Sequence, residues 1–127
     1  MPSKSFGQIV KNLRIKNTEY SSLRDFARKV GLSPAYLSRI ENGKESPPSE
    51  SIIEKIAEAL GADKYELLSC AGRVPTEFLG TFKKNPRGVA SFMRKAQESG
   101  LEADNEWKEL EDRILKVKKS KENRNDR

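Results

Sequence analysis

The stretch SLRDFARKVGLSPAYLSRIENGK, residues 22–44, holds two short helical patterns and the punctuation that separates them. Ser22 suits an N-cap, with Asp25 three residues on, so a helix starts at Leu23. Leu23, Phe26, Ala27 and Val30 fall on one face, and Gly31 supplies the left-handed residue that ends the helix. The next helix begins almost at once. Ser33 reads as its N-cap and Pro34 as its first residue, where a missing N–H costs nothing. Leu37 and Ile40 face inward, and Asn42-Gly43 stops the helix.

Similar punctuation runs outward on both sides. Phe6, Ile9, Val10 and Leu13 recur at helical spacing, predicting a helix from about Ser5 to Asn17. The polar stretch Asn17-Thr18-Glu19-Tyr20-Ser21 breaks it. Downstream, Ser46-Pro47-Pro48 is a stiff connector, and Ser49 caps a helix with the inner stripe Ile52, Ile53, Ile56, Ala57 and Leu60. Gly61 ends that helix. Asp63 with Glu66 forms a capping-box pattern for a short fifth helix through Leu67, Leu68 and Ala71. Gly72-Arg73-Val74-Pro75 reads as the domain boundary. Beyond it, Phe78, Leu79 and Phe82 suggest a turn or two of helix. Asn85-Pro86 repeats the cap-plus-proline start, ahead of Val89, Phe92, Met93 and Ala96. A last helix begins near Asp104 with Trp107, Leu110, Ile114 and Val117, a stripe too short to establish a coiled coil. The residues from Lys118 on include none that is apolar and are expected to fray. The expected division is 1–72, 73–118 and a basic flexible tail, 119–127.

Composition narrows the chemistry. Of 127 residues, 35% are hydrophobic and 35% charged, so the core must be compact and helical. The net charge is +6, and Met1 to Lys44 carries nine Lys and Arg against three Asp and Glu. A local positive field attracts polyanions, so nucleic acid is a plausible partner. There is no His, which removes His-containing metal sites and triads. No metal, cofactor or catalytic residue is therefore expected; Glu109, Glu111 and Asp112 look like a solvated helix face. The lone Cys70, beside Leu67 and Leu68, is expected to be a small buried hydrophobe. No apolar run approaches a membrane span and no signal peptide is evident, so the expected location is cytoplasmic.

Two short helices joined by a tight glycine-centred turn form a helix-turn-helix, here at about Ser22 to Glu41. Ala27 is small where the two helices approach, and Leu32 plugs the angle between them. The run FARKVGLSPAYLSRIENGK, residues 26–44, resembles the Cro/C1-type (xenobiotic-response-element-type) repressor family. The similarity continues through Pro48-Ser49 and Ile56-Ala57-Glu58-Ala59-Leu60-Gly61, and spans about Phe6 to Leu68. It implies an all-α, five-helix, lambda-repressor-like domain whose third helix enters the major groove of double-stranded DNA.

Carried over position by position, the resemblance assigns base-edge contacts to Pro34, Ala35, Tyr36, Ser38 and Arg39. Arg39 is the leading reader, since a guanidinium can hold guanine O6 and N7 together. Pro34 and Ala35 can at most pack on thymine methyl groups. Tyr36 can reach a base or a phosphate, or pack partly against the domain. Ser33, Asn42 and Lys44 resemble the family's phosphate contacts, with Ser22, Arg24 and Arg28 as additions. Leu23 occupies a position where many family members carry a phosphate-binding Gln. Arg14 and Glu41 match an inward ion pair assigned to holding the fold.

Operators of this family are usually palindromic, because two copies dock about one helical turn apart. The helical C-terminal region is the candidate for making the dimer, through Phe78, Phe82, Phe92, Met93, Trp107, Leu110 and Ile114. The alternative is that these side chains cover the first domain as a cap. Ala71 to Pro75 and the short helices after it also resemble repressors regulated by a partner metallopeptidase. The expected function is a transcriptional repressor acting as a homodimer. The alternative is the antitoxin of a toxin–antitoxin pair, with a toxin as partner.

Overall fold

The computed structural model describes residues 5–17, 19–20 and 22–125, and every regular element in them is helical. In chain order these are α1 (Phe6–Lys16), α2 (Leu23–Val30), α3 (Pro34–Glu41), α4 (Glu50–Leu60) and α5 (Lys64–Cys70). A 3₁₀ turn (Thr76–Phe78), α6 (Leu79–Lys84), α7 (Pro86–Glu98) and α8 (Asp104–Asn125) follow.

The expected caps form. The hydroxyls of Ser22, Ser33 and Ser49 accept hydrogen bonds from the amides of Asp25, Tyr36 and Ile52, each an N–H with no partner inside its own helix. Ser5 goes further: it accepts from the Gln8 amide while the Gln8 side chain accepts from the Ser5 amide. The Asp63 carboxylate takes the amides of both Tyr65 and Glu66. The Asn17 side chain accepts from the Glu19 and Tyr20 amides, turning the chain out of α1. Thr18 and Ser21, part of the expected break, lie outside the described residues.

Two compact units result, one through Gly80 and one from Thr81. The core of the first is built from all five leading helices: Phe6 and Val10 of α1, Phe26, Ala27 and Val30 of α2, Leu37 and Ile40 of α3, Ile53, Ile56 and Ala57 of α4, and Leu67 and Leu68 of α5. At about 1.5–3 kcal/mol for each large apolar side chain taken out of water, this cluster dominates the stability of the unit. Arg14 and Glu41 are buried beside it as a two-pronged ion pair, at 2.7 and 2.9 Å.

Gly7 is buried where α1 crosses the end of α3. A Cβ there would collide with the carbonyl oxygen of Ile40 and meet that of Glu41 at 3.0 Å. Only a glycine lets these two backbones come this close.

The boundary expected at Gly72–Pro75 falls inside the first unit, because the segment after α5 is strapped back onto α4 and α5. Arg73 donates to the Pro47 carbonyl at 3.2 Å. The Thr76 amide and hydroxyl both donate to the Glu50 carboxylate, at 3.1 and 2.6 Å. Phe78 stacks on Tyr65, with ring centroids 5.4 Å apart and planes 14° from parallel. Two further expectations are corrected. Cys70 is exposed, because the inner positions of α5 are taken by Leu67 and Leu68. Residues 119–125, expected as a loose tail, continue α8: their Lys, Glu and Arg are good helix formers, and lacking apolar residues removes a packing partner rather than the helix. Asp126 and Arg127 lie outside the described residues.

In the second unit, Asn85 caps α7 by accepting from the Gly88 amide, with Pro86 as its first residue. Among the described residues, no side chain beyond Pro75 is buried. The principal helix–helix contacts all lie among α1 to α5.

Candidate nucleic-acid interface

Helix α3 is held from its inner face. Leu37 and Ile40 are fully buried, and Glu41 is tied to Arg14. Its other face is thereby presented to solvent: Pro34, Ala35 and Arg39 are exposed, and Tyr36 and Ser38 are half-buried. Its eight residues make a rod about 12 Å long, and a helix with its side chains is about 10–12 Å across, which fits a major groove about 12 Å wide.

The turn that aims this rod depends on Gly31 at φ 78°, a left-handed conformation that costs a residue with a Cβ. The Ala27 carbonyl accepts from the Leu32 amide at 2.8 Å, locking α2 to the start of α3. Phe26, Ala27 and Val30 are buried and Leu23 packs half-buried against the same core. Leu23 is thus used for packing, which accounts for an apolar residue where a phosphate-binding Gln would otherwise point outward. Arg24 and Arg28 lie on the opposite face, and with Leu32 and Pro34 they line one surface depression. Two guanidinium-bearing side chains therefore sit beside the N-terminal end of α3.

At the other end, Gly43 turns the chain and the Lys44 amide donates to the Arg39 carbonyl at 2.8 Å. The Lys44 side chain is exposed just past α3. Cations thus bracket the exposed face of the helix at both ends. Between them, the Arg39 guanidinium carbon lies 5.8 Å from the centre of the Tyr36 ring. A cation held over an aromatic face gains about 0.5–1 kcal/mol at an exposed site. Tyr36 also packs against the edge of the core. Of the roles open to it from sequence, partial packing is realised, and the ring additionally supports Arg39.

Ser38 and Asn42 engage one another, the Asn42 amide donating to the Ser38 hydroxyl at 3.3 Å. Ser22 and Ser33 use their oxygens as caps, which leaves each hydroxyl proton able to donate. Of the residues assigned to base edges, Pro34, Ala35 and Arg39 are thus exposed on α3 and Tyr36 and Ser38 half-buried there, while Arg24 and Arg28 lie beside its N-terminal end and Lys44 just past its C-terminal end.

The residues expected to dimerise are distributed differently. Phe78 belongs to the first unit, stacked on Tyr65. In the second, Phe92, Met93, Trp107 and Ile114 are exposed, while Phe82 and Leu110 are half-buried. Sequence reasoning missed the strap from Arg73 to Phe78 and the close approach at Gly7. A glycine among the apolar residues of α1 was the one available signal for the latter.

No group of three or more His, Cys, Asp or Glu among the described residues could hold a metal ion. Partial desolvation of the otherwise exposed Cys70 thiol, and then the nearby Glu66 charge, raise its pKa, so it stays protonated near neutral pH. No helix among the described residues is long and apolar enough to cross a membrane.

Residues 12–67 match the family model described as helix-turn-helix. RghRB of Bacillus subtilis (strain 168), an uncharacterized HTH-type transcriptional regulator, is 33% identical over 69 residues. That match covers 54% of this chain and 48% of the relative, so the chain spans about half the relative's length. A solved structure, the SinR protein/SinI protein complex, aligns over 91% of this chain and 98% of that one, at 27% identity and a TM-score of 0.46.

Proposed function

We propose, from the premise that residues 12–67 form a helix-turn-helix domain of the Cro/C1 type, that the protein is a DNA-binding transcriptional regulator that reads its site through α3. The observation that carries this is the exposed face of α3. Arg39 is poised over Tyr36, with Arg24 and Arg28 at one end and Lys44 at the other. Arg39 is the residue able to read a guanine edge, and the flanking cations engage phosphates and set the register. Few other side chains on this face make polar base contacts, so DNA shape contributes to selectivity.

The finer reading is a repressor that binds a palindromic operator as a homodimer and acts in the cytoplasm. Its support is the exposed apolar set of the second unit, which asks for a partner, together with the geometry of paired half-sites. No step of this function requires catalysis. Selection of bound sequences from a random DNA pool tests it. The expected result is an inverted repeat whose half-site centres lie about 10 base pairs, or a multiple, apart. Recovery of no enriched sequence would remove the sequence-reading role, and an enriched single half-site would remove the dimer.

A further inference from the structure

Helix α8 is divided by charge at its centre. From Asp104 to Asp112 it carries five carboxylates against the one cation of Lys108, and from Arg113 to Arg124 six cations against the one carboxylate of Glu122. Its apolar stripe, Trp107, Leu110, Ile114 and Val117, is centred on the same point. Trp107, Ile114 and Val117 are exposed, the last two at 63% each, and Leu110 between them is half-buried.

The coincidence of the two centres has a geometric consequence. A rotation by half a turn about an axis at residue 112 lays the stripe onto itself, Trp107 opposite Val117 and Leu110 opposite Ile114. Large then meets small at the ends, and two medium side chains meet at the middle. The same rotation lays the acidic half of one helix along the basic half of the other. Parallel pairing would set acid on acid and base on base over the full length.

Each exposed charge pair is worth only about 0.2–1 kcal/mol, but orientation decides the sign of all of them together. Within the helix, Lys108 reaches Glu111 and Asp112 at 3.8 and 3.5 Å, and Arg113 reaches Glu109 at 3.6 Å. Among the described residues, the lysines from Lys116 to Lys121 form no ion pair. The basic half thus retains its charge for an external acidic surface.

We propose that α8 is the seam of the homodimer, and that two copies of this chain pair through it antiparallel, about a two-fold axis near Asp112 and Arg113. The inference rests on the homodimer of the functional reading and specifies how it is made. A two-fold contact of this kind is isologous: it closes on itself and leaves no free end to extend a filament.

The test uses the full chain with Cys70→Ser, since Cys70 is exposed and would itself take a label. Asn105→Cys, Asp112→Cys and Lys119→Cys, added singly, place a spin label at three positions one heptad apart on the same outward face. Sedimentation first establishes the oligomeric state of each variant, and dipolar spectroscopy then reads the label-to-label distance. Antiparallel pairing gives the shortest distance at 112. Labels at 105 and 119 are then offset along the axis by about 21 Å each, from 1.5 Å per residue. A dimer with one distance at all three positions is parallel, and a dimer with no minimum at 112 is sealed elsewhere; either overturns the proposal and leaves the homodimer standing. A chain that is monomeric at operator-binding concentrations, with or without label, removes the homodimer itself.

Discussion

Arg39 and Gly7 illustrate how differently single residues reach function. Arg39 is exposed, so replacing it disturbs little of the fold, and its effect is felt on DNA. Arg39→Ala should weaken binding to the selected operator by about 1–3 kcal/mol, roughly 5- to 150-fold, and weaken binding to random DNA far less. Arg39→Lys keeps the charge but loses both the two-pronged donor and the flat guanidinium held over Tyr36, so its loss on the operator should approach that of alanine. Anisotropy titrations of both variants on both DNAs decide this, and equal losses on the two would take Arg39 out of base reading. Gly7 acts through packing alone. Gly7→Ala pushes a methyl group into the carbonyls at the end of α3, and should destabilise the first unit by about 1–3 kcal/mol in urea denaturation. An unchanged unfolding midpoint would mean that α1 and α3 can separate without cost. The two residues also differ in how far sequence discloses them. Arg39 declares itself by its place within a short motif, whereas Gly7 matters because of a backbone 33 residues away, next to Ile40.

At the scale of elements, the helix ends were legible because their causes are local. A serine or aspartate and an amide two or three residues on decide where a helix starts, and no tertiary information is needed. The Arg73–Phe78 strap has the opposite character. Its partner Glu50 lies 26 residues from Thr76, and a Gly-Arg-Val-Pro run looks locally like a linker. The same pair makes the strap sensitive to acid. The Glu50 carboxylate is held below the ordinary carboxylate range, first by the Thr76 hydroxyl and then by the Thr76 amide. A folded-state pKa below the unfolded one means that the stabilisation is fully present above the ordinary carboxylate pKa. It is lost as pH falls through the lowered value, when protonation disfavours both hydrogen bonds. The strap should therefore stay closed at neutral pH and loosen only in acid. NMR should show the Thr76 amide shift following the titration of Glu50. Thr76→Val, which keeps the amide and removes the hydroxyl, should move that titration upward toward the ordinary range. An unmoved Glu50 titration would sink this account of the strap.

For the whole molecule, the division after Gly80 sets where the chain can be cut. The first unit contains its own core, its buried ion pair and its strap, so residues 1–80 should fold alone. Cutting after Arg73 instead removes Thr76 and Phe78, and with them the stacking partner of Tyr65. That shorter piece should be less stable, by about 0.5–1.5 kcal/mol from the lost ring pair alone. Neither piece retains α7 or α8, so on the homodimer reading both should be monomers. Their intrinsic affinity for a single half-site should match that of the full chain, because α3 and its flanking cations are intact. On the palindrome the result differs. A linked second domain binds at high effective concentration, and losing that link should lower affinity by about 100- to 10,000-fold. Sedimentation of the 1–80 piece, paired with titrations on a half-site and on the full palindrome, separates the two contributions. A 1–80 piece that still dimerises would return the interface to the first unit. A monomeric piece that keeps full affinity for the palindrome would show that α8 joins the copies without strengthening their grip on DNA.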